Sequence, residues 1–221
     1  MDLSELKSQF IKEEYGILPE YGKIFSFIDF SNVNKWFEND DRNLDNELLA
    51  EKEMVSIYLE GLKSFADIFS EKVRFYYGED PKNIRSLNFT HATRKIFGKF
   101  DVMTKDLQKI KHYIELIKQE NFEYLSQDKE GKKYIEIRKC NFDVEISVDA
   151  IKMLKHYDTF CIFSGDADFV YLNNFLKKKG KKIILIKGGY ITTKLRESAD
   201  LVINAQDIKK HITRIEKQRP D

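Results

Sequence analysis

The sequence predicts an α/β protein, a parallel sheet with helices on both faces. Three observations carry this. The runs Lys23-Ile-Phe-Ser-Phe-Ile-Asp29, Thr159-Phe-Cys-Ile-Phe163 and Lys182-Ile-Ile-Leu-Ile186 are apolar without alternation, as strands buried on both faces must be. Segments with helical periodicity separate them, which is the pattern of strand–helix–strand units. Only three prolines, Pro19, Pro81 and Pro220, interrupt 221 residues, and no Gly/Ser-rich linker or internal repeat is present. The chain therefore reads as one domain with helical additions, long enough to bury a substantial core.

Each element follows in order. Leu3, Leu6 and Phe10 predict a helix over 2–14, ended by Gly16 and Pro19. The first buried strand spans 23–29. Glu38 to Asp45 is acidic and polar, an exposed loop. Val55, Tyr58, Leu62, Phe65 and Phe69 fall at helical spacing and predict one amphipathic helix from Leu48 to Phe69. Lys72 to Tyr77 is a second strand, closed by Gly78. Residues 82–100 are irregular and basic. Met103, Leu107, Ile110, Ile114 and Ile117 make an alternating four–three seam, a helix over 101–121 that packs on its own core or forms a homodimer contact. Lys132 to Arg138 alternates as a strand does. A helix over 143–156, the strand 159–163, a helix over 169–179 stopped by Gly180, the strand 182–186, a short helix at 192–198, a strand Leu201–Ile203 and a last helix carrying Ile208, Ile212 and Ile215 complete the chain.

Composition excludes several classes. With 38 Lys+Arg against 37 Asp+Glu the formal charge is +1, which is not the strongly basic balance of a simple nucleic-acid-binding domain. Aromatic residues at 13% supply too much apolar surface for a disordered chain. No apolar run approaches the ~18 residues of a membrane span, and the charged first 20 residues are unlike a signal peptide. Cys140 and Cys161 form neither a disulfide framework nor a CxxC metal site, so a cytoplasmic protein is expected. His91, His112, His156 and His211 lack metal-ligand spacing.

In an open parallel sheet, ligands bind beyond the carboxyl ends of the strands. Two such ends carry acids here: Asp29 in Asp29-Phe-Ser-Asn32, and Asp166 and Asp168 in Ser164-Gly-Asp-Ala-Asp-Phe169. Asp143 begins a helix, and Asp149 follows six residues later, a rotation of roughly 240°. Asp143 is therefore the better placed of the two. Gathered carboxylates repel one another unless a cation neutralises them. An all-oxygen set suits Mg²⁺ or Mn²⁺ rather than Zn²⁺, and such ions activate water for phosphodiester cleavage. Nucleic acid is the matching polyanion. Arg85, Arg94, Lys95 and Lys99 among Phe89, Phe97 and Phe100, and the five lysines at 177–182 that include Lys181, are candidate RNA contacts, a basic–aromatic mixture that single strands favour.

The order of these pieces resembles a known family. Ile28-Asp29-Phe-Ser-Asn32 is similar to the D-x-x-N opening of NYN domains, the PIN-like ribonucleases, here closest to the bacterial LabA-like branch. Phe142-Asp143-Val-Glu-Ile-Ser-Val-Asp149 resembles the helix start VDVxLxxD, Ser164 to Phe169 resembles SGDSDF, and Leu195-Arg-Glu-Ser-Ala-Asp200 resembles a late L-x-x-x-A-D element. The resemblance implies a Rossmann-like PIN/NYN sheet over 23–205 and metal-dependent cleavage of RNA. Around it would lie an N-terminal helical extension (1–22), an acidic insertion (38–47), a basic helical insertion (82–122) and a C-terminal helix (206–221). It also implies Asp29, Asp143 and Asp166 as core acids, Asp149 and Asp168 as supporting acids, and Asn32 as the group that positions water or phosphate. Arg138-Lys-Cys-Asn-Phe-Asp143 departs from the family's usual Lys-Gly-Val-Asp, and the acidic insertion beside Asn32 would shape the entrance.

Two rival readings stay open at this stage. The Asp166-Ala-Asp168 pair fits the DxD of a Toprim-type phosphoesterase, although a Toprim domain opens with Glu on its first strand where this chain has Asp29; a haloacid-dehalogenase-type phosphatase wants DxD at the first strand, where this chain has Asp29-Phe-Ser. A binding module without catalysis is the other. On the nuclease reading, the near-neutral charge averages acids gathered to hold metal against Lys and Arg placed elsewhere to hold phosphate.

Overall fold

The computed structural model describes residues 3–113 and 126–217. In chain order, helix α1 (Leu3–Glu14) leads to β1 (Ile24–Asp29), which turns directly into the single-turn helix α2 (Phe30–Val33). Strand β2 (Glu53–Ile57) and helix α3 (Leu59–Asp67) precede β3 (Ser70–Glu79), helix α4 (Ile84–Phe97) and β4 (Val102–Asp106). Then come β5 (Gln108–Tyr113), β6 (Ser126–Gln127) and β7 (Lys133–Lys139). The last third holds α5 (Asp143–Lys152), β8 (Thr159–Phe163), α6 (Phe169–Lys178), β9 (Lys182–Lys187), α7 (Thr193–Glu197), β10 (Leu201–Asn204), α8 (Ala205–Ile212) and β11 (Thr213–Lys217).

Six strands form one parallel sheet in the order β10-β9-β8-β1-β3-β4. The unalternating apolar runs divide by parity into two cores. Ile24, Ile28, Phe163, Ile184 and Ile186 face one layer with α1, α3 and α8. Phe25, Phe27, Phe160, Ile162, Ile183 and Leu185 face the other with α5, α6 and α7. Each such fully buried side chain contributes about 1.5–3 kcal/mol, so both faces of the sheet are closed by burial alone. From β1 the chain winds one way through β3 and β4, and from β8 it winds the other way through β9 and β10. The topological switch point, where an open α/β sheet binds ligands, therefore lies between β1 and β8.

Four expected elements come out differently. Residues 48–69 are not one helix: β2 pairs antiparallel with β11, and α3 starts only at Leu59. Residues 82–100 are not irregular but carry α4, whose buried face is Ser86, Thr90, Thr93 and Phe97. No helix runs over 102–113, because β4 adds to the main sheet beside β3 and β5 pairs with β7. The seam offered for a dimer contact is thus absent there, and its remainder at 114–121 lies outside the described residues. The last helix ends at Ile212, and Ile215 belongs to β11. The N-terminal segment packs into the first core through Ile11, Tyr15 and Ile17.

Candidate metal centre

A cavity of about 450 Å³ opens at the switch point, lined by Asp29, Asn32, Asp143, Asp166 and Asp168. Three elements deliver these side chains. β1 ends on Asp29, so that carboxylate emerges from the sheet's carboxyl edge and is buried beneath the cavity floor. It accepts hydrogen bonds from the Ser31 hydroxyl (2.6 Å) and the Ser164 hydroxyl (3.2 Å). Burial raises its pKa above the ordinary carboxylate value; the two hydroxyls offset part of this, and the Asp166 charge adds to it.

The loop after β8 is folded by its own side chains. The Asp166 amide donates to Ser164 Oγ (3.2 Å), and the Asp168 amide donates to Asp166 Oδ1 (3.0 Å). The Asp168 carboxylate makes no helix-capping bond although it precedes α6, so it is available to the cavity. Asp143 is the first residue of α5, and its amide donates to Asn141 Oδ1 (2.8 Å).

One carboxylate oxygen from each of Asp143, Asp166 and Asp168 lies within 4.8 Å of the others. Asp143 is pushed up to about 6 by burial first, with the charges of Asp166, Asp29 and Asp168 adding to it and the Asn141 bond opposing. Three carboxyl groups this close, partly withdrawn from water, fit a hard divalent cation. Asp29 lines the same cavity but is not in this group of three.

Asn32 holds the loop. Its Oδ1 accepts from the Gly165 amide (3.0 Å) and from Trp36 Nε1 (2.9 Å). The Trp36 ring stacks on Phe163 at 6.4 Å and lies against Gly188, where a Cβ would come within 2.4 Å of it. Sequence reading missed Trp36, although its position one helical turn after Asn32 was a signal. It also missed Lys35 and Lys139, exposed cations on the cavity wall that form no ion pair among the described residues.

The other predicted residues lie elsewhere. Asp149 is turned away, as the helical rotation requires: it pairs with Arg74 (3.3 Å) and accepts from the Tyr76 hydroxyl (2.8 Å). Arg85, Arg94, Lys95 and Lys99, on or just after α4, do not line the cavity. Lys181 precedes the amino end of β9, at the opposite edge of the sheet, and donates to the Tyr157 carbonyl. Asp200, in the late motif, is structural: it accepts from the Ile183 amide (2.7 Å) and pairs with Lys177 (3.0 Å). The acidic loop at 38–47 is drawn toward α8 through Asp40, which pairs with Lys209 at 2.7 Å. No helix among the described residues is long and apolar enough to cross a membrane.

The family model for the NYN domain matches residues 27–208. The chain belongs to the NYN domain family. NYN domains are PIN-like nucleases, and part of this chain is similar to a LabA protein. That relative, the "Low amplitude and bright protein LabA" of Synechococcus elongatus, is 32% identical over 91 residues, 41% of this chain and 48% of its own length. The chain thus spans about half of the curated relative it matches. A crystal structure of a protein of unknown function from Vibrio parahaemolyticus shares the NYN chain's fold, with a TM-score of 0.53 and 19% identity over 86% of this chain and 95% of that one.

Proposed function

We propose that this NYN protein is an endoribonuclease that hydrolyses RNA phosphodiester bonds with Mg²⁺ or Mn²⁺ held by its carboxylates. The observation that carries this reading is the group of three, Asp143, Asp166 and Asp168, within 4.8 Å at the switch point. These three would hold the cation, with Asp29 behind them. A bound divalent ion supplies charge neutralisation and a more acidic water. The chain's own residues do the rest. Ser31 and Ser164 orient the Asp29 carboxylate. Asn32 fixes the Gly165–Asp166 turn through its Oδ1 and keeps its amide N–H groups for a phosphate oxygen. Lys35 and Lys139 face the cavity as counter-charges for the phosphates on either side of the scissile bond. Single-stranded RNA is the substrate form this cation-rimmed cavity favours. The unpaired Cys140 and Cys161 suit a reducing cytoplasm.

Purified protein with Mn²⁺ should cleave a mixed RNA substrate. Both EDTA and Asp166→Asn should abolish the cleavage. Activity indifferent to both would refute the reading, and phosphate release from small monoesters without RNA cleavage would favour a phosphatase instead.

A further inference from the structure

Beyond the cavity, one surface joins the chemistry of the proposed substrate to the site itself. β5 and β7 form an antiparallel arm whose root, Leu107 with Lys139, Cys140 and Asn141, lines the acid cavity. The pairing runs outward from Gln108↔Lys139 to Tyr113↔Tyr134, carrying the arm roughly 17 Å at ~3.4 Å per residue. The root is seated firmly. The Leu107 amide donates to the Glu79 carbonyl at 2.8 Å, and at Gly78 a Cβ would lie only 2.5 Å from Cys140 Cβ. β3 and the arm thus meet at a distance only glycine allows.

The arm's composition is that of a surface for single strands. Strands β5 and β7 (108–113 and 133–139) hold five Lys or Arg and one acid, Glu136, while the turn before β7 adds Asp128 and an ion pair of Lys132 with Glu130 at 2.9 Å. At the outer end, the Tyr113 and Tyr134 rings meet across the strands at 5.8 Å with 57° between their planes. Lys111 Nζ lies 4.3 Å over the Tyr134 ring, and Tyr113 is 53% exposed. Lys133 and Lys139 are exposed as well. An acid-lined cavity repels a polyanion, so phosphates must be held by cations beside it. Exposed tyrosine rings take unstacked bases of any sequence, whereas a duplex keeps its bases covered.

We propose that the β5–β7 arm is the track that holds a single-stranded stretch of RNA and leads it to the acids. This rests on RNA being the substrate of the cavity. The arm, unlike α4 and Lys181, is continuous with the cavity wall through Leu107, Lys139, Cys140 and Asn141.

The test is the binding of a short labelled mixed-sequence RNA by fluorescence anisotropy, in Asp166→Asn protein with EDTA so that nothing is cleaved. The Tyr113→Ala/Tyr134→Ala pair should weaken Kd about tenfold or more. The Tyr113→Phe/Tyr134→Phe pair keeps the rings and should restore binding to within about twofold, which separates stacking from loss of fold. Lys111→Gln should reduce the slope of log K against log salt by roughly 0.7. Equal binding by the Ala and Phe pairs, or duplex RNA bound as tightly as single strands, would overturn the proposal. Absence of RNA binding with the arm intact would overturn it too. Failure of the nuclease reading registers separately, as Asp166-containing protein that binds RNA through the arm yet does not cut it with Mn²⁺.

Discussion

Asn32 Oδ1 accepts the Gly165 amide proton across 3.0 Å, tying the turn that follows β1 to the turn that presents Asp166. The same oxygen takes the Trp36 indole proton, and Trp36 is wedged against Gly188 at the end of β9. Three strand ends are therefore clamped through one amide oxygen and one ring.

The clamp predicts a separation of activity from stability. Trp36→Phe keeps the ring stack on Phe163 but removes the donor to Asn32. It should cost about 0.5–1.5 kcal/mol of stability and lower kcat for RNA cleavage by roughly tenfold, since small displacements of positioned groups are expensive in rate. Gly188→Ala forces Trp36 aside and should do the same. Steady-state kinetics beside thermal melts decide it: melting temperatures that fall with kcat intact would mean the clamp only stabilises.

The acid group predicts a gain in stability where activity is lost. Asp143, Asp166 and Asp168 repel one another across less than 4.8 Å, so without a cation Asp143→Asn should raise the melting temperature by a few degrees, on the order of 1 kcal/mol. In the unsubstituted protein Mn²⁺ should raise the melting temperature with concentration, as any ligand of the native state does. The Asn variant should lose most of that rise. A variant that melts lower in EDTA than its parent would contradict the repulsion argued for this group.

Much of the fold was legible because of where polarity sits. β1, β8 and β9 are buried along nearly their whole length, so their apolar runs could be nothing but central strands. The acids at their ends were legible for the same reason, as abrupt polar punctuation. α4 was hidden because its inner face is Ser86, Thr90 and Thr93, polar side chains buried where an apolar stripe is expected. β2 was hidden because Val55 and Tyr58 fall by chance into register with the helix that follows. Over 102–113 the partners decide: β4 pairs with β3, and β5 with β7 at a sequence distance of tens of residues, a tertiary choice that overrides local periodicity. The cavity lysines were invisible because each depends on two distant segments meeting.

His211 predicts the response to acid. Its Nε2 lies 3.1 Å from the Tyr15 hydroxyl, and its ring stacks on Phe65 at 5.4 Å. Burial lowers its pKa, Lys210 and Lys7 lower it further, and Glu14 opposes them. A histidine held low in the native state binds its proton more readily when unfolded. Its contribution to stability is therefore complete above the unfolded value of about 6.5 and is lost as pH falls through the native value. Melting temperature should drop as pH falls below about 6.5. His211→Phe, which keeps a ring against Phe65 and forgoes the Tyr15 bond, should shift the curve by a constant and flatten that part of the drop. An unchanged slope would assign the acid sensitivity to other groups.

Asp149 pairs with Arg74 and Tyr76, away from the acid group that Asp143 joins on the same helix. It shares α5 with Asp143, yet it faces Arg74 and Tyr76, whose phenol burial pushes far above its ordinary value. Arg74 is itself packed between Met103 and Met153. Removing the carboxylate leaves a guanidinium largely cut off from water and without its counter-charge, the costly way to break such a pair. Asp149→Ala should lower stability by about 1–3 kcal/mol. The Mn²⁺ concentration that half-saturates the melting shift should stay as in the parent, and Arg74→Met with Asp149→Leu should recover part of the loss by apolar packing. A tenfold weaker Mn²⁺ response in a folded Asp149→Asn protein would instead make Asp149 a member of the metal site, and would require α5 to turn when the cation binds.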